Sequence, residues 1–396
     1  MPRCRSDIVI VGGGPAGLIA GREASKKGAE VIIVEEHEEI GVPNHCAGLL
    51  SLKGIDEIGT PVYGKFIQNK IRGARFFSPS GLSFTVERKE DVACVVDRTL
   101  FDKYLAKTAE REGVNIVTGF QARHLRLGSE NVMITGKYEE LVSRLLIVAE
   151  GTSFRIISQT RLKPFSKKDI LPALQFDIGN VNVDPDYVEI YFGERVAPGF
   201  FAWVIPLGTS SARVGLACKG TKPKVFLERF IKDRFGFNEK IKMLRASSGL
   251  IVTSGPIKKT YDEKMLVVGD AAGHVKPLTG GGVILGGICA LIAGAVAGES
   301  IAKSDTTSKF LSKYEKEWKK RLGREFRLTK IARGILNQLS DKTLDKLFRA
   351  VIECGFHEEV SRRGDVDFQS GTILELLKRM KIAKTLPSAI GDLLFR

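Results

Sequence analysis

The feature that most constrains the fold of this chain is a glycine-rich segment near its start, DIVIVGGGPAGLIAGREASKKGAEVIIVEE, residues 7–36. Apolar, β-rich runs at 7–11 and 30–34 predict two buried strands. Between them, residues 15–27 predict a helix that ends at Gly28, a residue type common just past helix ends. A strand, a tight turn, a helix and a second strand in this order predict a Rossmann-type α/β unit.

The GxGxxG spacing in this segment predicts a site for the pyrophosphate of a dinucleotide. Gly12 permits the tight turn, Gly14 lets the pyrophosphate approach the backbone, and Gly17 lets the helix pack closely on the strand. Unpaired N–H groups at the start of the helix favour phosphate. Glu35, at the end of the second strand, is suited to accept hydrogen bonds from ribose hydroxyls. The motif alone leaves FAD and NAD open. The expected cofactor contacts are Gly12, Gly14, Pro15, Ala16, Gly17, Glu35 and Glu36.

A second glycine-rich segment, EKMLVVGDAAGHVKPLTGGGV at 263–283, favours FAD. Residues 265–268 predict a strand, Asp270 follows it, and an apolar helix is predicted from near Gly280. FAD needs a second anchor: Asp270 is suited to a ribityl hydroxyl, and the helix N-terminus to the pyrimidine end of a reduced isoalloxazine. The alternative interpretation is a plain strand–turn–helix with a structural acid. The expected contacts are Gly269, Asp270, Pro277, Gly280, Gly281, Gly282 and Val283.

The pair GGGPAG and GDAAG…P…GGG resembles the FAD-dependent superfamily of the p-hydroxybenzoate hydroxylase type. A third segment, VVDRTLFDKYLAKTAEREGVNI, places Asp97 and Arg98 at the head of an amphipathic helix. The resemblance implies that Arg98 lies near the FAD pyrophosphate; the alternative is a charge that merely favours the helix start. A fourth segment, LLIVAEGTSFRI, is similar to the superfamily's strand and acidic turn, with Glu150 in place of its Asp and a shorter spacing to Arg155.

Within that superfamily the chain resembles the archaeal geranylgeranyl reductases over essentially its whole length. The segment GVPNHCAGLLS, residues 41–51, is similar to a family loop whose Cys-x-Gly faces the flavin, and Cys46 and Gly48 match it. The resemblance implies that Cys46, Ala47 and Gly48 contact the cofactor. It also makes Cys46 and His45 the titratable groups nearest the flavin, and so the candidate catalytic residues. The alternative for Cys46 is a small buried side chain.

A second family pattern, PxxYxWxFP followed by GxG, is similar to APGFFAWVIPLGTSSARVGLA at 197–217. Pro198 matches, whereas Phe201 replaces the Tyr, Ile205 the Phe and Ala217 the last Gly. These departures keep the apolar character and remove one hydroxyl, which fits an apolar substrate wall and argues against a tyrosine proton donor at 201. The alternative is an ordinary sheet core. The resemblance implies substrate contacts at Phe201, Trp203, Ile205, Pro206 and Gly215.

The family resemblance implies an FAD-dependent reductase that adds hydride to isolated double bonds of geranylgeranyl chains in archaeal-type membrane lipids. A dry, apolar tunnel would hold the chain, and the proton donor, water or a side chain, stays open. Because the sequence has one GxGxxG, the external reductant stays open among NAD(P)H, a ferredoxin and a deazaflavin. One alternative is a monooxygenase or halogenase, which the Cys-x-Gly loop disfavours. The other is a quinone-linked electron-transfer flavoprotein, which the lack of clustered cysteines disfavours.

The order of these motifs predicts a discontinuous domain arrangement. Residues 1–66, 97–165 and 256–302 are expected to form a Rossmann-like FAD-binding domain of the p-hydroxybenzoate hydroxylase type. Residues 67–96 and 166–255 are rich in alternating strands and turn signals, which favour an antiparallel β-sheet substrate domain. Residues 303–396 are expected to form a helical C-terminal region. The fold class is therefore α/β, with the substrate between the first domain and the sheet.

Charge bears on the partners of the protein. The net charge is +15, and the residues from 301 onward carry 21 Lys/Arg against 13 Asp/Glu. Residues 313–335 and 373–396 predict basic, amphipathic helices, which suit an anionic membrane or lipid phosphate, or else an ordinary helical cap with a solvated face. Nucleic acid is not an expected partner, because aromatic and basic residues do not interleave in a binding pattern.

Three further patterns bear on location. The apolar stretch at 283–298 is shorter than the roughly 20 residues of a membrane span and predicts a buried core helix. The six cysteines form no CxxC pair, so neither a disulfide framework nor a metal site is expected. The first residues lack a signal-peptide pattern. We therefore expect a cytoplasmic protein, with peripheral membrane contact as an open option.

Overall fold

The computed structural model describes residues 3–220, 222–236 and 240–379. The strands are β1 (Arg3–Val11), β2 (Val31–Val34), β3 (Leu49–Ser51), β4 (Ile67–Ile71), β5 (Gly73–Phe77), β6 (Ser83–Glu87), β7 (Ala93–Val96), β8 (Asn115–Val117), β9 (His124–Leu127), β10 (Val132–Thr135), β11 (Glu140–Val148), β12 (Ile170–Gly179), β13 (Tyr187–Tyr191), β14 (Ala202–Pro206), β15 (Ser211–Ala217), β16 (Lys242–Val252), β17 (Tyr261–Asp262) and β18 (Met265–Val267). The helices are α1 (Pro15–Ser25), α2 (Leu52–Glu57), α3 (Arg98–Arg111), α4 (Pro223–Phe235), α5 (Val283–Ala302), α6 (Ser308–Leu336), α7 (Asp341–Glu353), α8 (Phe356–Arg363) and α9 (Ser370–Arg379).

The first sheet has the strand order β17-β18-β11-β1-β2-β8. Its pairings from β18 to β8 are all parallel, and the β9–β10 hairpin adds to β11 in antiparallel fashion. Ile8 and Ile10 of β1 face one apolar core, while Val9 and Val11 face another. A strand buried on both faces is typical of a parallel sheet covered on each side. The predicted Rossmann-type layer is confirmed.

Helix α5 packs in the core against α1. It is the one helix of the described part of the chain that is long and apolar enough to cross a membrane, and 78% of its most apolar window is buried. Small residues allow the two helices to approach closely, since a Cβ atom at Gly294 would lie 2.3 Å from the carbonyl oxygen of Ala20. The prediction of a buried core helix is confirmed, although the helix extends beyond the predicted 283–298.

The second sheet has the order β16-β12-β15-β14-β13-β5-β6. Neighbouring strands are antiparallel except β13 and β5, which are parallel. The predicted antiparallel character of 166–255 therefore applies within that segment, but the junction with β5 departs from it. The turn at Asn180, whose φ is +61°, lies where the sequence predicted a turn signal.

Two features of this region were missed by the sequence analysis. Helix α4 interrupts the predicted run of strands: Pro223 occupies its first turn, and Leu227 and Phe230, three residues apart, are buried. In addition, β7 pairs with both β3 and β4 in a separate three-stranded sheet, while β5 and β6 join the second sheet. Residues 67–96 thus contribute to two sheets, and the domain boundaries proposed above stay a prediction.

Among the C-terminal helices, α6 covers the first sheet and its core, whereas α7 and α8 pack on β6 of the second sheet. The predicted helix at 313–335 is confirmed within α6, which buries Tyr314 and Trp318. The Tyr314 hydroxyl donates to the Val267 carbonyl at 2.8 Å, and the Trp318 indole N–H donates to Thr260 at 3.0 Å. Helix α9 corresponds to the first part of the basic helix predicted at 373–396, and residues 380–396 lie outside the described residues.

Candidate active site

A cavity of about 1030 Å³ lies between the first sheet and the second. One group of its lining residues comes from the two glycine-rich segments and α3; we call it the cofactor wall, and it comprises Gly12, Gly14, Glu35, Glu36, Arg98, Asp270, Gly280, Gly281, Gly282 and Val283. A second group comes mainly from the second sheet; we call it the apolar wall, and it comprises Ile71, Val188, Ile190, Phe192, Phe201, Trp203 and Ile205. The two walls belong to the same continuous space.

The first glycine motif forms a backbone cradle that side chains would fill. Gly12 has a φ of +113°, and a Cβ atom there would lie 2.3 Å from the carbonyl oxygen of Ala149. At Gly17 a Cβ atom would lie 2.0 Å from the carbonyl oxygen of Gly12, so only glycine lets α1 pack on the turn. No side chain caps the start of α1 at Gly14. Its N–H groups are therefore available to a phosphate.

Two acids stand at the end of β2. The Glu35 carboxylate accepts a hydrogen bond from the Gly13 N–H at 2.7 Å and lines the cavity, as a ribose-binding acid must. Glu36 instead pairs with Arg155 at 3.2 Å and accepts from Gln121 at 3.0 Å. Burial opposes the charge of Glu36, but these two donors outweigh it and lower its pKa. The other oxygen of Glu35 accepts from the His37 N–H at 3.2 Å and contacts the His37 ring, so of the two acids Glu35 is the one held against the glycine turn.

Arg98 lies at the centre of the cofactor wall. Its guanidinium makes two 2.9 Å bonds with Asp102 one turn later in α3, and both side chains are almost fully buried. Burial opposes the charge of Arg98, but Asp102 and the neighbouring Cys46 thiol favour it and raise its pKa. Burial raises the pKa of Asp270, against the opposing effect of Arg98. Residues from three distant segments therefore converge on one cation.

The loop that carries Cys46 is held by side chains of the second sheet. Gln175 donates to the Cys46 carbonyl at 3.1 Å, Arg213 to the Ala47 carbonyl at 2.8 Å, and Arg245 to the Asn44 carbonyl at 2.8 Å. These three donors lie on β12, β15 and β16, so the sheet positions the loop against the cofactor wall. Sequence analysis did not find them, because no local pattern links them to the loop.

Within this loop, glycine is required at position 48. Gly48 has a φ of +74°, and a Cβ atom would lie 2.5 Å from the Val96 carbonyl oxygen. Its N–H donates to the Cys46 sulfur at 3.4 Å, which orients the thiol. His45 is exposed in the same loop and lines the cavity. Partial burial lowers the pKa of His45, against a hydrogen bond with the Ser248 backbone.

The second glycine motif meets the first across the core. Gly269 has a φ of +65°, and a Cβ atom there would lie 2.8 Å from the Cβ of Ala16. Among the described residues, no hydrogen-bond donor reaches the Asp270 carboxylate, which lines the cavity. A Cβ atom at Gly282 would lie 2.6 Å from that carboxylate. The carboxylate is therefore open to a hydroxyl donor, and α5 begins beside it at Val283, three residues after the predicted start.

One cavity-lining cation in this motif was missed by the sequence analysis. Lys276 pairs with Asp367 at 2.9 Å and donates to the Val366 carbonyl at 3.1 Å, and both charged side chains are at most 10% exposed. Asp367 also accepts the Ser51 hydroxyl. The signal was a lysine inside the glycine-rich loop, but its partner lies 91 residues later. The ion pair therefore holds residues 364–367, which follow α8, against the cavity.

The apolar wall is built mainly on strands β13 and β14, and Gln175 of β12 and Gly215 of β15 lie against it. Gly215 lies beneath Trp203, since a Cβ atom there would lie 2.6 Å from the indole ring and from Gln175 Cβ. Phe201 stacks on Phe200 with 4.2 Å between the ring centroids. The Trp203 indole nitrogen and the Gln175 side-chain oxygen are buried without a hydrogen-bond partner among the described residues.

Some predicted site residues support the cavity from behind. Gly215 holds Trp203, while the Pro206 carbonyl accepts from Asn69 at 3.1 Å. His274, in the second motif, is fully buried among Tyr314, Trp318 and Phe326, and burial lowers its pKa to about 3. It is a neutral core residue. Seven predicted residues do not line the cavity, namely Pro15, Ala16, Gly17, Gly269, Pro277, Pro206 and Gly215.

Two family models match the chain. The geranylgeranyl reductase catalytic domain matches residues 169–251, and the FAD dependent oxidoreductase model matches residues 7–142. The first covers the sheet that bears most of the apolar wall, and the second covers the first glycine motif and Arg98. The second glycine motif, which supplies the rest of the cofactor wall, lies outside both matches.

Curated relatives match nearly the whole chain. Digeranylgeranylglycerophospholipid reductase 2 of Methanothermobacter thermautotrophicus is 36% identical over 356 residues, which are 87% of this chain and 91% of that protein. Digeranylgeranylglycerophospholipid reductase of Methanocaldococcus jannaschii is 36% identical over 359 residues, 88% of this chain and 90% of that protein.

Solved structures show the same architecture. A geranylgeranyl bacteriochlorophyll reductase-like protein of Thermoplasma acidophilum has a TM-score of 0.88 and 28% identity, and the match covers 99% of this chain and 100% of that one. The flavin-dependent brominase Bmp2 has a TM-score of 0.72 and 16% identity, covering 96% of this chain and 100% of that one. The brominase likeness shows the fold alone.

Proposed function

This chain belongs to the digeranylgeranylglycerophospholipid reductase family, and from that premise we propose that it reduces the isolated double bonds of geranylgeranyl chains on glycerophospholipids as an FAD-dependent oxidoreductase. The observation that carries the proposal is the continuity of one cavity from the cofactor wall to the apolar wall. A reductase of this kind must bring a dinucleotide flavin and a long hydrocarbon into contact, away from water.

The residues of the cofactor wall fit FAD. The Gly12–Gly14 turn and the open start of α1 would bind the pyrophosphate together with Arg98, and Glu35 would bind the ribose. Asp270, open to a donor, would bind the ribityl chain, and the start of α5 would face the isoalloxazine. When bound in its reduced form, FAD supplies the hydride. The chain's own residues supply position and electrostatics.

The apolar wall suits a substrate that lacks polar groups near the reacting carbons. Ile205, Trp203 and Phe201 are all buried apolar side chains, and position 201 carries no hydroxyl. An isolated alkene offers no carbonyl to polarise, so excluding water and aligning the double bond are the contributions open to this wall. The position of Gly215 beneath Trp203 fixes how far the indole ring extends into the cavity.

Cys46 and His45 are the residues we propose beside the reacting centre. The sheet donors hold the Cys46 backbone, and the Cys46 thiol lies beside the Arg98 guanidinium. His45 borders the same cavity. Either side chain, or a water molecule, would supply the proton to the second carbon.

Two partners belong to the proposal. An external reductant, NAD(P)H, a ferredoxin or a deazaflavin, must recharge the flavin. Because the substrate is a membrane lipid, the enzyme would act in the cytoplasm in peripheral contact with an anionic membrane. The burial within the fold of α5, the one long apolar helix among the described residues, agrees with this arrangement.

The test is turnover by the purified flavin-loaded protein. With a chemical reductant and no oxygen, a digeranylgeranyl phospholipid should gain two hydrogens for each double bond, as measured by mass spectrometry. Cys46→Ala should lower the rate while retaining bound flavin. An unchanged lipid, together with rapid reoxidation of the flavin in air and hydroxylation or halogenation of an aromatic compound, would instead assign a monooxygenase or halogenase.

A further inference from the structure

Two elements of the second sheet region, β16 and the start of α4, carry exposed apolar side chains. The described residues expose ten large apolar side chains, and three of these lie on the single strand β16. They are Met243, Leu244 and Leu250, with 62%, 61% and 46% of their surface exposed. Val225, near the start of α4, is 51% exposed. We call these four residues the docking face.

The docking face lies at an open edge of the fold. Strand β16 is the last strand of the second sheet and pairs only with β12 among the described strands. A shallow cleft beside it is lined by Pro223 of α4 and by Leu174 and Leu250. Leu250 and Leu174 also line the main cavity. The exposed apolar surface therefore continues into the space that we assign to the lipid chain.

The same region is strongly basic. Residues 222–245 contain eight Lys/Arg and three Asp/Glu. Lys222, Lys224 and Lys242 are exposed on the same two elements or next to them, and Lys224 pairs with the exposed Glu228 at 3.7 Å. Apolar side chains surrounded by cations are the combination that binds an anionic lipid surface, since the first insert between headgroups and the second attract them.

Helix α6 carries more cations but lacks the apolar part of this combination. Its large apolar side chains, such as Trp318, pack inward, and none is among the ten exposed ones. Two of its lysines, Lys313 and Lys319, are paired with glutamates. The cations of α6 would add long-range attraction to an anionic membrane. The docking face would in addition bury apolar surface in that membrane.

We propose that the docking face lies on the anionic membrane and that the geranylgeranyl chain enters the cavity from the bilayer past Leu250. This inference rests on the proposed function and names the partner surface that serves it. By this route the apolar geranylgeranyl chain would pass from the bilayer into the cavity without crossing water, and exposure of its apolar surface to water would be costly in free energy.

The test compares binding to vesicles of 30% phosphatidylglycerol in phosphatidylcholine by sedimentation. Met243→Ser with Leu244→Ser should lower the partition coefficient about tenfold or more, because the inserted apolar area is lost. Lys224→Gln with Lys242→Gln should lower it about 25-fold, at about fivefold for each cation. The matched controls are Leu127→Ser with Tyr138→Ser, and Lys316→Gln with Lys320→Gln on α6. The apolar control should bind as the unaltered protein does, and the α6 control should lose clearly less than its matched pair.

Activity separates docking from catalysis. With a digeranylgeranyl phospholipid in detergent micelles, the docking-face variants should keep the rate of the unaltered protein; with the same lipid in vesicles, they should lose it in proportion to binding. Equal vesicle binding by variants and controls would overturn the docking inference. A change of molecular mass in the Met243/Leu244 variant by sedimentation velocity would overturn it too, by making the face a contact between copies. No reduction of micellar lipid by any form would instead contradict the proposed function.

Discussion

The buried pair of Lys276 and Asp367 offers the sharpest prediction about how the cavity is closed. The side chains are 10% and 5% exposed, and the two charged atoms are 2.9 Å apart. Asp367 is also bonded to Ser51. Removing one partner leaves the other charge buried without compensation, which costs about 3–5 kcal/mol, whereas replacing both by apolar residues is often neutral.

We therefore expect Lys276→Met and Asp367→Leu each to lower the free energy of unfolding by about 3–5 kcal/mol. The double variant should lose much less than the sum, with a coupling energy of at least about 2 kcal/mol. Urea unfolding of the flavin-loaded protein, followed by circular dichroism, gives these values. The exposed pair Arg195 and Asp233, 3.6 Å apart, is the control, and its cycle should yield less than about 1 kcal/mol.

The functional consequence follows from position. Lys276 belongs to the second glycine motif, and Asp367 belongs to the segment after α8 that lines the same cavity region. Either single variant should therefore also release flavin faster on dilution, and the double variant should release it at an intermediate rate. Additive losses in the Lys276 and Asp367 cycle, or a coupling no larger than that of the surface pair, would refute the reasoning.

Three other changes have expected outcomes. Gly215→Ala should push Trp203 into the cavity and lower the rate of reduction of a C20 chain about tenfold or more. The control is Gly208→Ala, where a Cβ atom meets nothing closer than 3.8 Å, and it should leave that rate unchanged. Equal rates in the two variants would contradict the assigned wall. Because burial lowers the pKa of His274 to about 3, below the roughly 6.5 of an unfolded chain, the unfolded state binds one more proton between these values, and the free energy of unfolding falls by about 1.4 kcal/mol per unit as pH falls through that window. His274→Phe should remove this part of the slope in urea titrations at pH 6 and pH 4.5, and an unaltered slope would count against a neutral core histidine. Arg98→Met should weaken FAD retention measured by ultrafiltration at least about tenfold and Arg98→Lys less so, whereas full retention in both would place the pyrophosphate elsewhere.

Local spacing accounts for the parts of the site that the sequence could predict. Gly17 packs on the Gly12 carbonyl five residues earlier, so the spacing of the motif predicts the turn and the helix, whereas the Ala149 carbonyl that requires glycine at position 12 lies outside the motif. The strand before Asp270 and the helix after Gly282 are likewise neighbours in sequence. The family resemblance predicted that the two motifs serve one cofactor. In the structure they meet, since a Cβ atom at Gly269 would lie 2.8 Å from the Cβ of Ala16.

Long-range pairing accounts for what was missed. Gln175 and Arg213 hold the Cys46 loop from strands about 130 and 170 residues away, and no periodicity reports such a bond. Lys276 finds its counter-charge 91 residues later. Helix α4 was hidden because its exposed face is short and basic and its buried face rests on only a few residues such as Leu227 and Phe230. These contacts form only once the sheets have assembled, because their partners are far apart in the sequence.

The most direct test of the central claim is a single turnover in the absence of oxygen. The flavin-loaded protein is reduced chemically, freed of excess reductant, and mixed with a digeranylgeranyl phospholipid while the flavin absorbance is followed. The account predicts that the oxidised flavin spectrum returns upon lipid addition and that one double bond is saturated for each flavin reoxidised. A flavin that stays reduced in the presence of the lipid, but reoxidises as soon as air is admitted, would contradict it.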